Sequence, residues 1–241
     1  MNGPEIVGDY LHKEYPKQFA KTEFWKQIKR TVNGEPVSDQ DIDLIVKQII
    51  SQLDLQPNDH LLDLGCGNGA LASRLFSQCK QYTGVDFSEY LLSVAEEYFC
   101  PRDGIRYIQS DIRQTQNFVS AATSANKVLI YGCIGYLHRH EVKMLLHDLK
   151  TALCGLSTIL IGNVADESRA GEFFRARSVN DYLLDDPSSP IGVWWEQAEW
   201  KKIGDELGFQ TTCVSMRDDF YGSRYRYDVV FENNHAPKSV G

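Results

Sequence analysis

The chain has 241 residues, of which 42% are hydrophobic, enough for one sizeable core. Its formal net charge of -8 argues against a broad nucleic-acid or anionic-membrane surface, because such partners usually require a basic face. Residues Met1 to Tyr10 lack a basic stretch followed by an apolar run, and no run of about 18 apolar residues occurs. We therefore expect one cytoplasmic domain over residues 1–241, a monomer or homodimer with neither nucleic-acid nor membrane partners.

The six cysteines are dispersed along the chain, and no C-x-x-C pair occurs among them. This spacing indicates neither a zinc site nor a disulfide framework. We expect reduced, mostly buried thiols and no metal. The cysteines are Cys66, Cys79, Cys100, Cys133, Cys154 and Cys213.

The N-terminal segment 1–37 is polar yet rich in aromatic side chains, which a disordered leader would lack. It is predicted to fold back onto the domain as a helical lid. The stretch Phe24 to Thr31 predicts a helix in this lid, which places Trp25 and Arg30 to contact a substrate. The alternative is an amphipathic helix that only packs on the domain.

After a turn signal at Asn33-Gly34, Ser38 is predicted to cap a helix whose apolar side chains recur at helical spacing from Ile42 to Leu53. A short apolar strand then ends in the glycine-rich turn of residues 61–70, and an amphipathic segment follows. This pattern is typical of a strand, a tight loop and the start of a helix. Glycines let a ligand approach the main chain closely, so we expect a polar, partly anionic small molecule to bind here.

The spacing of the glycines limits which ligand this is. A dinucleotide fingerprint reads G-x-G-x-x-G, whereas this loop reads G-x-G-x-G through Gly65, Gly67 and Gly69, which opposes an NAD-dependent oxidoreductase. Asp63 precedes the glycines, and Asp86 ends the next apolar strand, where a carboxylate can accept hydrogen bonds from both hydroxyls of a ribose. These residues are typical of the nucleoside half of a cofactor site.

In these residues the chain resembles the class I S-adenosylmethionine (SAM)-dependent methyltransferases. The resemblance covers roughly Leu61 to Asn163 and implies that SAM is the cofactor, with its methionine part on the glycine loop, its ribose on Asp86 and its adenine amine on Asp111. It also implies that main-chain atoms around Tyr131 and Gly132 lie near the amino group of the cofactor. The full set of expected cofactor contacts is Asp63, Gly65, Cys66, Gly67, Gly69, Asp86, Phe87, Asp111, Ile112, Tyr131 and Gly132.

From Leu61 onward, apolar strands alternate with helices, which predicts a doubly wound α/β fold with parallel strands and helices on both faces. A long irregular stretch, 166–192, follows the fifth strand and predicts a substrate-side insertion. A helix from Trp195 ends at Gly208, and two strands then close the domain as a hairpin. The resemblance implies a mostly parallel, seven-stranded Rossmann-like sheet whose final pair is antiparallel.

Methyl transfer is an in-line displacement, so the enzyme chiefly aligns the acceptor and, for a hydroxyl acceptor, removes its proton. The loop after the fourth strand offers His138 as a general base and Tyr136 to orient the acceptor. The alternative for His138 is a polar residue that caps the next helix. A metal on His138, His140 and Glu141 is disfavoured, because metal-dependent O-methyltransferases use a set of carboxylates that this turn lacks.

Arginines and aromatic residues collect in the insertion and in the final hairpin despite the overall acidity. Such local positive charge suits an anionic acceptor, although arginines that pair with nearby aspartates on a solvated surface explain it equally well. The expected substrate contacts are Trp25, Arg30, Arg175, Trp194, Trp195, Tyr221, Arg224 and Arg226.

Together these features predict a SAM-dependent methyltransferase acting on a small anionic metabolite, linked to a sugar, phosphate or nucleotide, and methylated on oxygen. One alternative is a small-molecule N-methyltransferase. Another is a SAM-binding subunit without chemistry of its own. A nucleic-acid or protein methyltransferase is a further alternative. Its base-modifying form is disfavoured, because residues 131–134 read YGCI where such enzymes often carry N/D-P-P-Y/F.

Overall fold

A computed structural model describes residues 13–233 of the chain. Residues 1–12 of the predicted lid therefore lie outside the described part. The strands are β1 (Thr31–Val32), β2 (Glu35–Pro36), β3 (His60–Leu64), β4 (Gln81–Asp86), β5 (Ile105–Gln109), β6 (Lys127–Tyr131), β7 (Thr158–Ala165), β8 (Gln210–Ser215) and β9 (Arg226–Glu232). The first two form a small hairpin, and the other seven form one sheet in the order β5-β4-β3-β6-β7-β9-β8.

The helices of the described residues flank this sheet. They are α1 (Phe24–Gln27), α2 (Asp39–Leu53), α3 (Glu89–Tyr98), α4 (Arg139–Ala152), α5 (Ala170–Arg175) and α6 (Gln197–Leu207). Within residues 13–233, none of them has the length and apolarity needed to cross a membrane.

The predicted sheet is confirmed. Strands β3 to β7 pair in parallel, and β9 runs antiparallel to both of its neighbours. Successive side chains of a strand point to opposite faces, so Leu61 packs into one apolar cluster together with α2, while Leu62 packs into a second cluster with α4 and α6. Burial on both faces explains why these strands read as continuous apolar runs.

The predicted helix from Phe24 to Thr31 is wrong in its extent. The α-helix ends at Gln27, because Lys29 adopts a left-handed φ of 52° and Thr31 already belongs to β1. The turn at Asn33-Gly34 and the cap at Ser38 are confirmed: Asn33 and Gly34 have φ values of 52° and 85°, and the Ser38 hydroxyl accepts a hydrogen bond from the Asp41 amide.

The predicted helix start after the glycine loop is also wrong. This segment forms two short 3-10 helices, Ala72–Arg74 and Phe76–Gln78. The Ser73 hydroxyl donates to the Ala70 carbonyl, one of several local bonds that compete with the α-helical ladder. The feature that can bind a ligand here is therefore the loop itself rather than a helix N-terminus.

The thiols are less buried than predicted. Cys66 and Cys79 are buried, Cys133 and Cys213 are partly buried, and Cys100 and Cys154 are exposed.

Gly204 tests how tightly α6 packs on the sheet. A Cβ at this position would lie 1.7 Å from the Thr211 hydroxyl oxygen and 3.3 Å from the Phe231 ring. We expect Gly204→Ala to lower the free energy of unfolding, because overpacking costs about 1–3 kcal/mol and helix propensity returns only about 1 kcal/mol. Urea unfolding measures the change. Gly155→Ala is the control, since a Cβ there meets no atom within 4 Å. Equal stabilities of the two variants would contradict tight packing at Gly204.

Candidate active site

A cavity of about 740 Å³ opens at the carboxyl edge of the sheet, where β3, β4, β5 and β6 end. Ligands of open parallel sheets bind at this edge. The loops after all four strands contribute to its wall, together with the N-terminal segment and the insertion. The wall is formed by Lys13, Gln27, Ile28, Lys29, Arg30, Asp63, Gly65, Cys66, Gly67, Leu71, Asp86, Phe87, Leu91, Asp111, Ile112, Arg113, Tyr131, Gly132, Cys133, Tyr136, Leu137, His138, Glu141, Asp186, Pro187 and Ser188.

The glycine loop forms the floor of the cavity. Gly65 and Gly67 have φ values of 78° and 58°, and the Gly65 amide donates to the Val85 carbonyl at 2.8 Å. A Cβ on Gly65 would lie 2.6 Å from the Cys133 sulfur, so a side chain cannot be accommodated there. The loop therefore presents bare main chain to the cavity, as the resemblance implies for a cofactor.

Gly69 differs from the other two glycines. It does not line the cavity, and a Cβ on it would lie 2.7 Å from the Tyr107 hydroxyl and 3.1 Å from Ala95 Cβ. Its prediction as a cofactor contact is corrected accordingly: Gly69 permits α3 and β5 to pack against the loop.

Asp86 both organises the loop and faces the cavity. Its Oδ2 accepts from the Gly67 amide and its Oδ1 from the Ser88 amide, each at 2.9 Å. Burial raises the pKa of this carboxyl, although the main-chain donors oppose the change. Each carboxylate oxygen has two lone pairs, so Asp86 can still accept from ribose hydroxyls.

Asp63 is buried at the base of the cavity. Its Oδ2 accepts a hydrogen bond from the Tyr82 hydroxyl at 2.8 Å. Burial and the nearby charge of Asp86 raise the pKa of this carboxyl, whereas Tyr82 and Arg30 lower it, and the net pKa is about 7. A cationic group beside Asp63 would favour its ionised form, so the position suits an ammonium.

Asp111 lies on the wall after β5, where it is paired with an arginine that the sequence pattern did not indicate. The Arg113 Nε donates to both carboxylate oxygens, at 2.9 and 3.0 Å, and Arg113 also pairs with Glu141. Burial acts to raise the pKa of Asp111, but the hydrogen bonds from Arg113 outweigh it, and the pKa is lowered. Asp111 is therefore an ionised acceptor next to Ile112.

The N-terminal segment covers the glycine loop. The Asn68 amide nitrogen donates to the Phe24 carbonyl at 2.8 Å and to the Gln27 side chain at 2.9 Å. Ile28 lies 3.1 Å from the position that a Cβ on Gly67 would take. Trp25 instead packs on the core cluster and does not line the cavity, which corrects its prediction as a substrate contact.

The loop after β6 forms the wall opposite the glycine loop. Tyr131, Gly132, Tyr136 and His138 all line the cavity there. His138 is exposed and is the N-cap of α4, and its amide donates to the Glu141 carboxylate at 2.8 Å. This matches the capping alternative for His138, while its role as a base stays a prediction.

Most of the other predicted substrate contacts lie elsewhere. Trp194 and Trp195 are 0% and 1% exposed, so both indoles are part of the packed core rather than contacts to a ligand. The pattern of aromatic residues did not distinguish core from site. Arg226 donates to the Asn163 carbonyl at 2.7 Å. The residues that do not line the cavity are Arg175, Trp194, Trp195, Tyr221, Arg224 and Arg226.

The insertion contributes other residues than predicted: Asp186, Pro187 and Ser188 line the cavity. The loop is tied to the fold by Arg139, which pairs with Glu199 at 2.8 Å and also with Asp185. Within residues 13–233, no group of three His, Cys, Asp or Glu side chains is arranged to hold a metal ion.

Comparison with known proteins agrees with this geometry. The profile of a family described as "Methyltransferase domain" matches residues 61–154. An uncharacterized methyltransferase, C70.08c, of Schizosaccharomyces pombe is 42% identical over 53 residues, which are 22% of this chain and 20% of that protein. An rRNA adenine N-6-methyltransferase of Escherichia coli is 31% identical over 72 residues, 30% of this chain and 29% of that protein. The chain thus spans less than a third of the length of these relatives.

A solved structure extends the likeness over the whole fold. The magnesium protoporphyrin IX methyltransferase of Synechocystis PCC 6803, crystallised with bound S-adenosylhomocysteine, covers 94% of this chain and 98% of its own, with a TM-score of 0.64 and 16% identity. At that identity the likeness concerns the fold.

The raised pKa of Asp63 predicts a pH-dependent stability. A folded-state pKa of about 7, above the ordinary 3.8, means that the carboxyl stabilises the fold fully below pH 4 and that this contribution is lost as the pH rises through 7. The loss corresponds to roughly 4 kcal/mol in the free energy of unfolding. Denaturant unfolding of the ligand-free protein from pH 4 to 8 should show this decline, and Asp63→Asn should remove it. A wild-type profile parallel to that of the variant would contradict the assignment.

Asn68 predicts how the N-terminal segment is held. Asn68→Ala leaves the Phe24 carbonyl and the Gln27 side chain without their buried donor, at a cost of about 1–3 kcal/mol. Amide hydrogen exchange should accelerate in residues 24–30 and remain slow in the sheet. The control is Asn117→Ala, since the Asn117 side chain makes an exposed bond to Gln114. Unchanged exchange in residues 24–30 would show that other contacts hold the segment.

Proposed function

We propose that this chain, which belongs to the class I SAM-dependent methyltransferases, transfers a methyl group from SAM to a small anionic acceptor, on oxygen. The observation that carries the proposal is the cavity at the carboxyl edge of the sheet. There, three carboxylates at the carboxyl ends of neighbouring strands surround a glycine loop of bare main chain: Asp63 in β3, Asp86 at the end of β4 and Asp111 just after β5.

The residues of the cavity fit SAM part by part. Asp63 suits the ammonium of the methionine part, Asp86 the ribose hydroxyls, and Asp111 the adenine amine. The open main chain of Gly65 and Gly67, which a Cβ would obstruct, supports the same placement. When bound, SAM supplies an electrophilic methyl group on a sulfonium.

Arg30 is assigned to the carboxylate of the cofactor rather than to the acceptor. Its guanidinium lies 5.1 Å from the centre of the Tyr131 ring, and its positive charge lowers the pKa of Asp63. The buried Nε of Arg30 has no hydrogen-bond partner within residues 13–233. Since the ammonium and carboxylate of an amino acid sit on the same carbon, a carboxylate beside Asp63 would meet this free donor.

The acceptor is proposed to be small because the cavity is walled on two sides. Residues 27–30 cover the glycine loop, and residues 186–188 of the insertion close the side near His138. A volume of about 740 Å³ is within the range of pockets that enclose a single small ligand, so a cofactor leaves limited room beside it. Arg226 does not line the cavity itself, but its positive charge acts on Tyr136, which does, and this supports an anionic acceptor.

Methylation of a nitrogen atom in a small molecule remains the main alternative, and a SAM-binding subunit without chemistry is the other. Incubation with methyl-labelled SAM distinguishes both alternatives from the proposal. The methylated atom of the product tells nitrogen from oxygen, and a subunit without chemistry would form no product. The likeness to rRNA methyltransferases suggests a nucleic-acid acceptor, but the net charge of -8 and the YGCI sequence after β6 speak against it.

Asp86→Ala tests the cofactor site. The change removes the acceptor proposed for two ribose hydroxyls, and charge-assisted hydrogen bonds contribute about 1.5–3 kcal/mol each. We expect S-adenosylhomocysteine to bind at least about tenfold more weakly by calorimetry. Asp103→Ala, an exposed aspartate outside the cavity, is the control. Failure of the wild-type protein to bind would overturn the proposed function, and unchanged binding by Asp86→Ala would move the ribose elsewhere.

A further inference from the structure

Asn163 is held in a strained conformation at the carboxyl edge of the sheet. It lies inside β7 with a left-handed φ of 64°, where the pairing of β7 with β9 shifts register between Ile161 and Val164. Asparagine tolerates this region better than most residues, yet single left-handed residues inside a strand are rare. Such conformations persist only when the surroundings impose them, and they concentrate at functional sites.

Two side chains impose this conformation. The Asn163 amide donates to Asp228 Oδ1 at 2.8 Å, and the Asn163 carbonyl accepts from Arg226 at 2.7 Å. Asp228 is 1% exposed, and its other oxygen accepts from the Gln48 side chain at 2.6 Å. Both polar main-chain groups of Asn163 are thus bound to side chains, which frees its own side chain.

That free side chain points to the end of β6. The Asn163 Nδ2 lies 3.5 Å from the position that a Cβ on Gly132 would take, and Gly132 lines the cavity. The side-chain amide of Asn163 makes no hydrogen bond within residues 13–233. A hydrogen-bonding group without a partner, aimed at the edge of the cavity, is suited to hold a polar ligand.

The surroundings of Asn163 are rich in donors, and the nearby carboxylates already have donors of their own. Asp228 is 1% exposed, does not line the cavity and accepts from the Asn163 amide and from Gln48. On the cavity wall, Glu141 accepts from the His138 amide and Asp186 from the Ser188 amide.

Arg226 contributes positive charge, and the Tyr131 and Tyr136 hydroxyls are protonated donors at neutral pH, as tyrosines ordinarily are; burial raises their pKa values further. Asp63 is the carboxylate proposed for the cofactor ammonium, and the exposed His138 caps α4 at the rim. A hydroxyl acceptor would need a base, whereas a carboxylate is already ionised and nucleophilic.

We propose that Asn163 positions the acceptor, and that the group it positions is a carboxylate, which is methylated to an ester. This rests on the proposed function and specifies its acceptor. A carboxylate oxygen supplies the electron pair of the new C–O bond, the bond between the methyl carbon and sulfur breaks with its pair going to sulfur, and no proton moves. Arg226 acts through Asn163 and is a positioning residue.

The nature of the product tests the acceptor class. The wild-type protein is incubated with methyl-labelled SAM and with benzoate, phenylacetate or hexanoate, each beside its primary amide and its alcohol. A methyl ester releases labelled methanol in alkali, whereas methyl ethers and methylamines do not. We expect alkali-labile label from acids alone. Alkali-stable label on an alcohol or amine would overturn the carboxylate assignment and leave methyl transfer intact.

Variants of Asn163 test its role without turnover. Asn163→Gly removes the side chain and suits the left-handed backbone, and Asn163→Asp places a negative charge beside the acceptor. The acids should raise the melting temperature of the wild-type complex with S-adenosylhomocysteine. In both variants, the acid concentration that gives half of the maximal rise in melting temperature should be at least tenfold higher than in the wild type. The affinity of the variants for S-adenosylhomocysteine should stay within twofold of the wild-type value.

The outcomes separate this proposal from the proposed function. If Asn163 only shapes the strand, Asn163→Gly will bind the acids as the wild type does, and the positioning role is wrong. If no acid shifts the wild-type complex more than its amide does, the carboxylate assignment is wrong. Loss of S-adenosylhomocysteine binding by the wild type would instead overturn the cofactor site itself.

Discussion

The Val85 carbonyl joins β4 to the glycine loop, and the cavity depends on this junction. It accepts from the amides of Gly65 and Cys66, at 2.8 and 3.1 Å, just where the parallel pairing of β3 with β4 ends. One residue further, Asp86 accepts from the Gly67 amide at 2.9 Å. The loop is therefore folded by the neighbouring strand rather than by the residues that follow it, which explains how it keeps its shape although no α-helix begins there. The register of two strands fixes both the floor of the cavity and the carboxylate beside it.

Burial of carboxylates at this edge of the sheet is electrostatically costly. Burial raises the pKa of both Asp63 and Asp86, the charge of Asp86 raises that of Asp63 as well, and the Tyr82 hydroxyl offsets the cost at Asp63 only in part. An ammonium ligand would lower that cost. Part of its binding free energy would therefore come from reducing the repulsion between carboxylates that are already buried in the folded protein. The N-terminal segment also offsets the negative charge of the buried carboxylates, because it places Arg30 at the cavity and is held there by Asn68. A charged ligand and the segment that covers it are thus coupled through Asp63.

The sequence was sufficient for the sheet and for most of the cofactor wall, because both follow from local rules. Apolar runs specify buried strands, and a carboxylate at the end of a parallel strand must lie at the ligand-binding edge. It was insufficient where tertiary contacts decide. In the sequence, Trp194 and Trp195 resemble aromatic residues that stack on a ligand, but both are buried in the core. Gly69 resembles the other glycines of the loop, but the space beside it is occupied by Tyr107. Arg113 and the loop 186–188 carried no motif, since their positions depend on long-range packing.

Asn163 shows why the acceptor side is harder to predict than the cofactor side. Cofactor contacts are mostly main chain and strand ends, so they leave a pattern in the sequence. Asn163 lies beside Gly132 at a register shift between β7 and β9, where it is held by Arg226 and Asp228 of β9 and, through Asp228, by Gln48 of α2, all far from Asn163 in the chain. None of them is unusual alone. Because the shift lies where β7 meets β9, while the glycine loop follows β3 and the carboxylates lie at the ends of β3, β4 and β5, we expect changes in β9 to alter the acceptor without disturbing the cofactor. If Asn163 positions the acceptor as proposed, the acceptor preference of this chain is encoded in its antiparallel edge, and its cofactor in its parallel core.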